Sequence, residues 1–151
     1  TALTETLARL SGLPDAMPNR PVTPRAVLPQ PIRTLTGGDL EAVRWSSIGM
    51  GCKQAILLDN GAASARLFSI PPGVALPDHG HQGLEMTLVL QGAFADGDAE
   101  FGPGDVALAD EDIDHAPAVI GTQTCICLAA ADSRLRFHTF LPRLAQRFLR
   151  I

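Results

Sequence analysis

Short aliphatic runs set apart by turn-forming residues constrain this chain more than any other feature. Val43–Ser46, Gln54–Leu58, Ala65–Ile70, Leu84–Leu90, Asp105–Leu108 and Thr124–Leu128 are rich in β-branched or aliphatic side chains, with Gly, Pro, Asp or Asn between them. Many short strands at this spacing predict an all-β body, a sandwich or a small barrel, over residues 32–140. Asp59-Asn60-Gly61 predicts a hairpin turn, because Asn and Gly both tolerate positive φ.

The flanks read differently. Leu3, Leu7 and Leu10 have helical spacing, and Gly12 and Pro14 would stop that helix. Residues 1–13 are therefore expected to be a helix, the end of a preceding helical domain. Residues 14–31 hold six of the twelve prolines and few large apolar side chains, the composition of an extended linker. Residues 141–151 are expected to form a short basic helical tail after Pro142, with Leu144, Phe148 and Ile151 on one side.

A chain of 151 residues is one domain with extra length at its ends. An apolar fraction of 46% argues against disorder for the bulk. The net charge of −4 argues against nucleic acid as the main partner. Charge is unevenly spread: eight acidic and no basic residues lie between Asp96 and Asp114, and five arginines and no acid between Arg134 and Ile151. That pattern reads either as solvated faces or as docking surfaces. Three cysteines (Cys52, Cys125, Cys127), an odd number without framework spacing, point to a reducing compartment. No signal peptide is visible, and no apolar run reaches the ~18 residues of a membrane span. A cytoplasmic protein without membrane contact is expected. The first residue is threonine, which is the expectation for a fragment of a longer chain.

The stretch "DHGHQGLEMTLVLQ" (Asp78–Gln91) gathers metal-binding groups. His79, His81 and Glu85 share parity, so one uninterrupted strand would place them on one face. His79 and Glu85 would then lie about 20 Å apart, too far for one ion. The chain must bend between them, and Gly80 and Gly83 make a bend cheap. The two histidines would end one strand and Glu85 would begin the next. His115, after the aliphatic run Val106–Leu108, offers a further ligand at a strand end. The flanking glycines complete the pattern G-x5-H-x-H-x3-E-x6-G, from Gly73 to Gly92 without a departure.

That pattern resembles the first motif of the cupin superfamily, small jelly-roll β-barrels that hold a metal inside. The second cupin motif, G-x5-P-x-G-x2-H-x3-N, falls on Gly104 to Val119. It keeps Gly104 and His115 but has Asp110, Asp112 and Val119 where Pro, Gly and Asn are usual, which puts the turn before His115 in doubt. The resemblance implies the ligand set His79, His81, Glu85 and His115. Within cupins, "ARLFSIPPGVALPDHGHQGLEMTLVLQGAFADGDAEFGPGDV" followed by "DHAP" is similar to the cupin-like sensory domain of the ChrR family of anti-sigma factors, over roughly Ala65 to Ala130. It implies a role in releasing an extracytoplasmic-function sigma factor in response to singlet oxygen or related oxidants. The sigma-binding, zinc-containing helical domain of that family has no counterpart motif here, so the sigma factor would be held chiefly by a domain before this one.

Three classes of function compete on this sequence. A metal-dependent dioxygenase or isomerase needs an open coordination position. Three histidines and a carboxylate can close a tetrahedral zinc site, whereas six-coordinate iron or manganese keeps two positions open. Few further groups could orient a substrate beside the metal: there is no tyrosine, and Arg66 and His138 are the obvious extra charged or titratable side chains. A sensor needs something that changes on oxidation. Cys125 and Cys127, two apart on a predicted strand, would be ~6.6–7 Å apart, too far for an unstrained disulfide, and read as core residues. In the third class the metal only closes the barrel. Zinc, one ion, is the expected cofactor.

Overall fold

The computed structural model describes residues 26–132 and 136–137. The expected helix at 1–13, the linker up to residue 25, His138 and the tail at 141–151 lie outside the described residues. In chain order the described part runs through helix α1 (Gln30–Thr36), a 3-10 turn at Leu40–Ala42 and twelve strands. These are β1 (Ser46–Gly49), β2 (Cys52–Asp59), β3 (Ser64–Ile70), β4 (His79–Gly80), β5 (Glu85–Gln91) and β6 (Ala93–Asp96). They continue with β7 (Ala99–Phe101), β8 (Val106–Ala109), β9 (Asp114–His115), β10 (Ala118–Ile120), β11 (Cys125–Ala131) and β12 (Arg136–Phe137).

All pairings are antiparallel. The main sheet has the order β1-β2-β3-β11-β5-β8; two smaller sheets have the orders β10-β6-β7 and β12-β4-β9. At its centre β11 pairs along its whole length with β3, from Cys125 opposite Ile70 to Ala131 opposite Ser64. This is the all-β architecture that the short strand runs implied.

β3 and β11 bury consecutive residues rather than alternate ones, because both faces of the main sheet are covered. Cys52, Ile70, Val89, Phe94, Val119, Cys125 and Cys127 form the inner cluster, against the β10-β6-β7 sheet. Leu28, Val43, Ala55, Leu67 and Ile126 form an outer cluster beneath the segment that precedes β1. Leu28 is 1% exposed. The Asp39 carboxylate accepts the backbone N–H groups of Val27 (2.9 Å) and Leu28 (2.8 Å), which ties this segment down.

Two local readings change. Val27 and Leu28, read as part of the linker, instead pack on the body. Pro31 lies in the first turn of α1, where proline costs nothing because its missing N–H would have no helical partner, and Gly37 closes α1 at φ 84°. Val43–Ser46 is not a strand except at Ser46. Val43 is buried in the outer cluster and the Trp45 indole N–H donates to the Leu40 carbonyl (3.3 Å). The apolar character there records packing, not pleat.

The hairpin at Asp59-Asn60-Gly61 joins β2 to β3, by a route other than the expected one. Gly61 has φ 85° but Asn60 does not enter the left-handed region. The Asn60 side chain instead accepts the N–H groups of Ala62 (3.0 Å) and Ala63 (2.8 Å). Among the described residues Met50 is the one non-glycine at positive φ, between Gly49 and Gly51 in the β1–β2 turn.

The motif glycines separate into two kinds. Gly73 and Gly104 have positive φ with open space where a Cβ would go, while a Cβ on Gly92 would meet the Thr124 carbonyl oxygen at 2.7 Å. Gly73→Ala is therefore expected to lose about 1–2 kcal/mol, the cost of the left-handed conformation. Gly92→Ala should lose more, since backbone cannot rotate aside. Equal losses in denaturant melts would mean that the β11 approach yields freely and the contact is unimportant.

Candidate metal centre

The site is built by the smallest sheet. β4 and β9 pair so that His79 lies opposite His115 and Gly80 opposite Asp114. The chain then leaves β4, passes His81, and restarts as β5 at Glu85. Neither Gly80 nor Gly83 takes a positive φ, so the expected bend is made without left-handed glycine. Its far end is fixed by Asp132, whose carboxylate accepts the Leu84 N–H (2.8 Å) and whose N–H donates to the Leu84 carbonyl (3.2 Å).

His79, His81 and His115 each present one ring nitrogen, and the three nitrogens lie within 4.8 Å of one another. His79 and His81 are buried, and His115 is largely so. The Nδ1–H of His79 donates to the Pro77 carbonyl (2.8 Å), which leaves its Nε2 as a lone pair. His115 Nδ1 meets the Asp96 carboxylate at 2.5 Å. With that proton given to Asp96, His115 Nε2 is also a lone pair, 3.0 Å from His81 Nε2. A tetrahedral zinc holds its nitrogens about 3.3 Å apart. Buried imidazoles with outward protons committed and lone pairs converging fit a cation.

The sequence-predicted residues do not all converge. Glu85 lines the same cavity as His79 and His115, but its carboxylate accepts the Thr87 hydroxyl (3.3 Å) and is not among the ligand atoms that lie mutually within 4.8 Å. Asp96, which the sequence offered only as part of an acidic run, is the orienting partner of His115. No local signal marks it. It is brought under His115 by β6–β10 pairing, with Ala95 opposite Ala118. Arg66 is buried, paired with Asp59 (3.4 Å) and hydrogen-bonded to Gln54 (3.2 Å). Cys125 and Cys127 are buried free thiols in the inner cluster. The neighbouring Cys125 and burial keep Cys127 protonated.

Burial depresses His79 and His81. His79 titrates below its usual range because of desolvation, only partly opposed by its bond to Pro77. His81 falls to about 4, through desolvation and then the neighbouring His79 and His115. Burial raises Glu85, against the Thr87 hydrogen bond and the nearby His115 and Arg66. A cluster that resists protons keeps its lone pairs for a metal near neutral pH.

An antiparallel barrel with inward histidines is the cupin fold, and solved cupins share it. An RmlC-like cupin from Ralstonia eutropha JMP134 aligns over 64% of this chain and 68% of its own, at TM-score 0.57 and 19% identity. KdgF from Halomonas sp. aligns over 63% and 93%, at TM-score 0.54 and 19% identity. Within that class, residues 35–133 match the ChrR cupin-like domain family, and the chain belongs to it. It is 53% identical to the anti-sigma-E factor ChrR of Cereibacter sphaeroides over 134 residues, 89% of this chain and 62% of that protein. The chain thus spans under two thirds of that relative. The crystal structure of Rhodobacter sphaeroides SigE in complex with the anti-sigma ChrR matches 87% of this chain and 75% of its counterpart, at TM-score 0.66 and 45% identity.

Two outcomes follow. Asp96→Asn keeps the shape of the pair but loses the charge that holds His115; zinc affinity should fall about 10–100-fold with the fold retained. Chelator competition measures this, and unchanged affinity would make the Asp96 contact incidental. The second concerns acid. His79 and His81 titrate lower folded than unfolded, so the unfolded chain takes up more protons below about 6.5. Metal-free stability should be fully present above that pH and be lost progressively as pH falls toward 4. Glu85 is raised and acts in the opposite sense, so the comparison is with His81→Asn, whose melting temperature should change less between pH 7 and pH 5. Parallel slopes would remove His81 as a source.

Proposed function

We propose that this chain is the metal-binding sensory part of an anti-sigma factor, a regulator and not an enzyme. What carries the reading is a buried histidine cluster in a chain 53% identical to an anti-sigma factor. The partner is an extracytoplasmic-function sigma factor, held chiefly by the part of the protein that this chain does not span. The solved relative in complex with SigE supports that partner. Such a partner belongs to the cytoplasm. The net charge of −4 gives no reason to expect direct nucleic-acid contact. Among the described residues no helix is long and apolar enough to cross a membrane.

The ligands we assign are His79, His81, His115 and Glu85, around one zinc ion. Zinc, when bound, supplies a closed and redox-inert coordination. The protein's own share is orientation. Pro77 and Asp96 fix two imidazoles, and rotation of Glu85 away from Thr87 would bring the fourth donor. The signal is singlet oxygen or a related oxidant, and the barrel is the two-state element it biases.

In the full-length protein, His79→Ala and Glu85→Ala should leave sigma-factor inhibition largely intact in unstressed cells and blunt induction of the sigma factor's target genes by singlet oxygen. A transcriptional reporter reads both. Loss of inhibition without stress would make the barrel part of the grip. A parental response to the oxidant would make the metal site structural only.

A further inference from the structure

The inner side of the barrel is not filled by its own side chains. A cavity of about 380 Å³ extends from His79 and His115 to Met50 and Leu108, which are 68% and 61% exposed and so mark its mouth. Protein interiors leave few voids larger than a water molecule. An apolar cavity of ~150 Å³ already takes a benzene ring, so this one has room for about ten to fifteen non-hydrogen atoms.

The chemistry of the walls selects what fits. Phe68, Ile70, Leu76, Phe94, Phe101 and Val119 supply apolar surface along the length. Among the described residues the ionisable and hydroxyl side chains apart from Cys52 and Cys127 are His79, His115, Glu85, Asp96 and Thr87, and none of the described residues lining the space is a lysine or arginine. A divalent cation held by the histidines is already balanced by the two carboxylates. An anionic ligand would lose its hydration with no counter-charge among the described lining residues to replace it, and an ammonium would compete with the metal. A neutral molecule with one oxygen has neither problem: its chain displaces poorly held water from apolar walls, and its oxygen finds partners at the polar end.

We infer that the cavity binds a neutral, largely hydrocarbon molecule of about ten non-hydrogen atoms bearing a single hydroxyl or carbonyl oxygen. The chain lies along Phe68, Phe94 and Phe101, and the oxygen points to Thr87 and the histidines. The inference rests on the cavity and not on the sigma-factor partner.

The test uses the metal-loaded chain, with metal content measured in parallel so that loss of metal is told apart from loss of ligand. It is titrated with 1-nonanol, nonanoate and nonylammonium while the methyl resonances of Ile70 and Val119 are followed by NMR. Nonanol should give saturable shifts at submillimolar concentration and bind at least tenfold tighter than either charged analogue. Ala107→Phe, which projects a ring into the cavity, should weaken nonanol at least tenfold at unchanged metal content. Met50→Trp, on the exposed β1–β2 turn at the mouth, should weaken it too if the first variant fails to fold. The inference is overturned by no saturable shift up to the solubility limit, by a charged analogue binding as tightly, or by parental affinity in a folded variant.

Discussion

Two residue pairs hold the site together: His79 opposite His115, and Gly80 opposite Asp114. They join segments 36 positions apart in a chain whose other pairings can form without them. Strands this short contribute little stability alone. The main sheet supplies the frame instead. Asp132, just past the end of β11, fixes the exit of the histidine segment through Leu84, β8 leads into β9, and β6 presents Asp96. The register of β4 on β9 is then decided by what the frame leaves room for. A one-residue slip would turn His79 or His115 to the other face and dismantle the cluster.

Burying three imidazoles works against folding unless their polar atoms are satisfied. The outer nitrogens of His79 and His115 are satisfied by Pro77 and Asp96. The inner nitrogens face one another, with His81 Nε2 3.0 Å from His115 Nε2, a contact that one N–H can satisfy for two of the rings and a bound cation would satisfy for all three. The depressed titration of His79 and His81 is the same fact in other terms. A metal bound here would couple its binding to folding, and Asp96, which orients His115, would belong to that coupling without being a ligand.

Much of this was legible in the sequence, for identifiable reasons. Glu85–Gln91 and Ser64–Ile70 are long, aliphatic and bounded by turn residues, so their strand character is local. The shared parity of His79, His81 and Glu85, set against the distance a strand would impose, demanded a bend, and β4 and β5 are separated by one. What stayed hidden depends on tertiary contact. β6 and β10 are short and alanine-containing and gain their state from pairing. Asp96 looked like one more surface acid, because only the pairing of Ala95 with Ala118 puts it beneath His115. Val27–Pro31 looked like linker because its two prolines mask Leu28, whose burial depends on the distant Asp39 carboxylate. Where Glu85 points was not legible either, since a side-chain torsion leaves no trace in spacing.

The two faces of β11 give the barrel its capacity to relate its interior to its surroundings. Cys127 lines the cavity that His79, Glu85 and His115 share. Its neighbour Ile126 faces the other way and packs in the cluster with Leu28, Ala55 and Leu67. Between these two residues the pairing with β5 loses its regular step, from Ile126 opposite Gln91 to Cys127 opposite Val89. An irregular step of this kind locally disrupts the ladder and bends the strand; the main sheet has two others, between Ser47 and Gly49 and between Ile56 and Leu58. Close packing on both sides means that a shift of the strand at this point cannot be absorbed on one face alone. The segment on the outer side, Val27 and Leu28, is fastened by two backbone hydrogen bonds to one carboxylate, a small attachment compared with the seven paired residues of β11 on β3. β11 thus joins the residues that line the site's cavity to the segment that precedes β1.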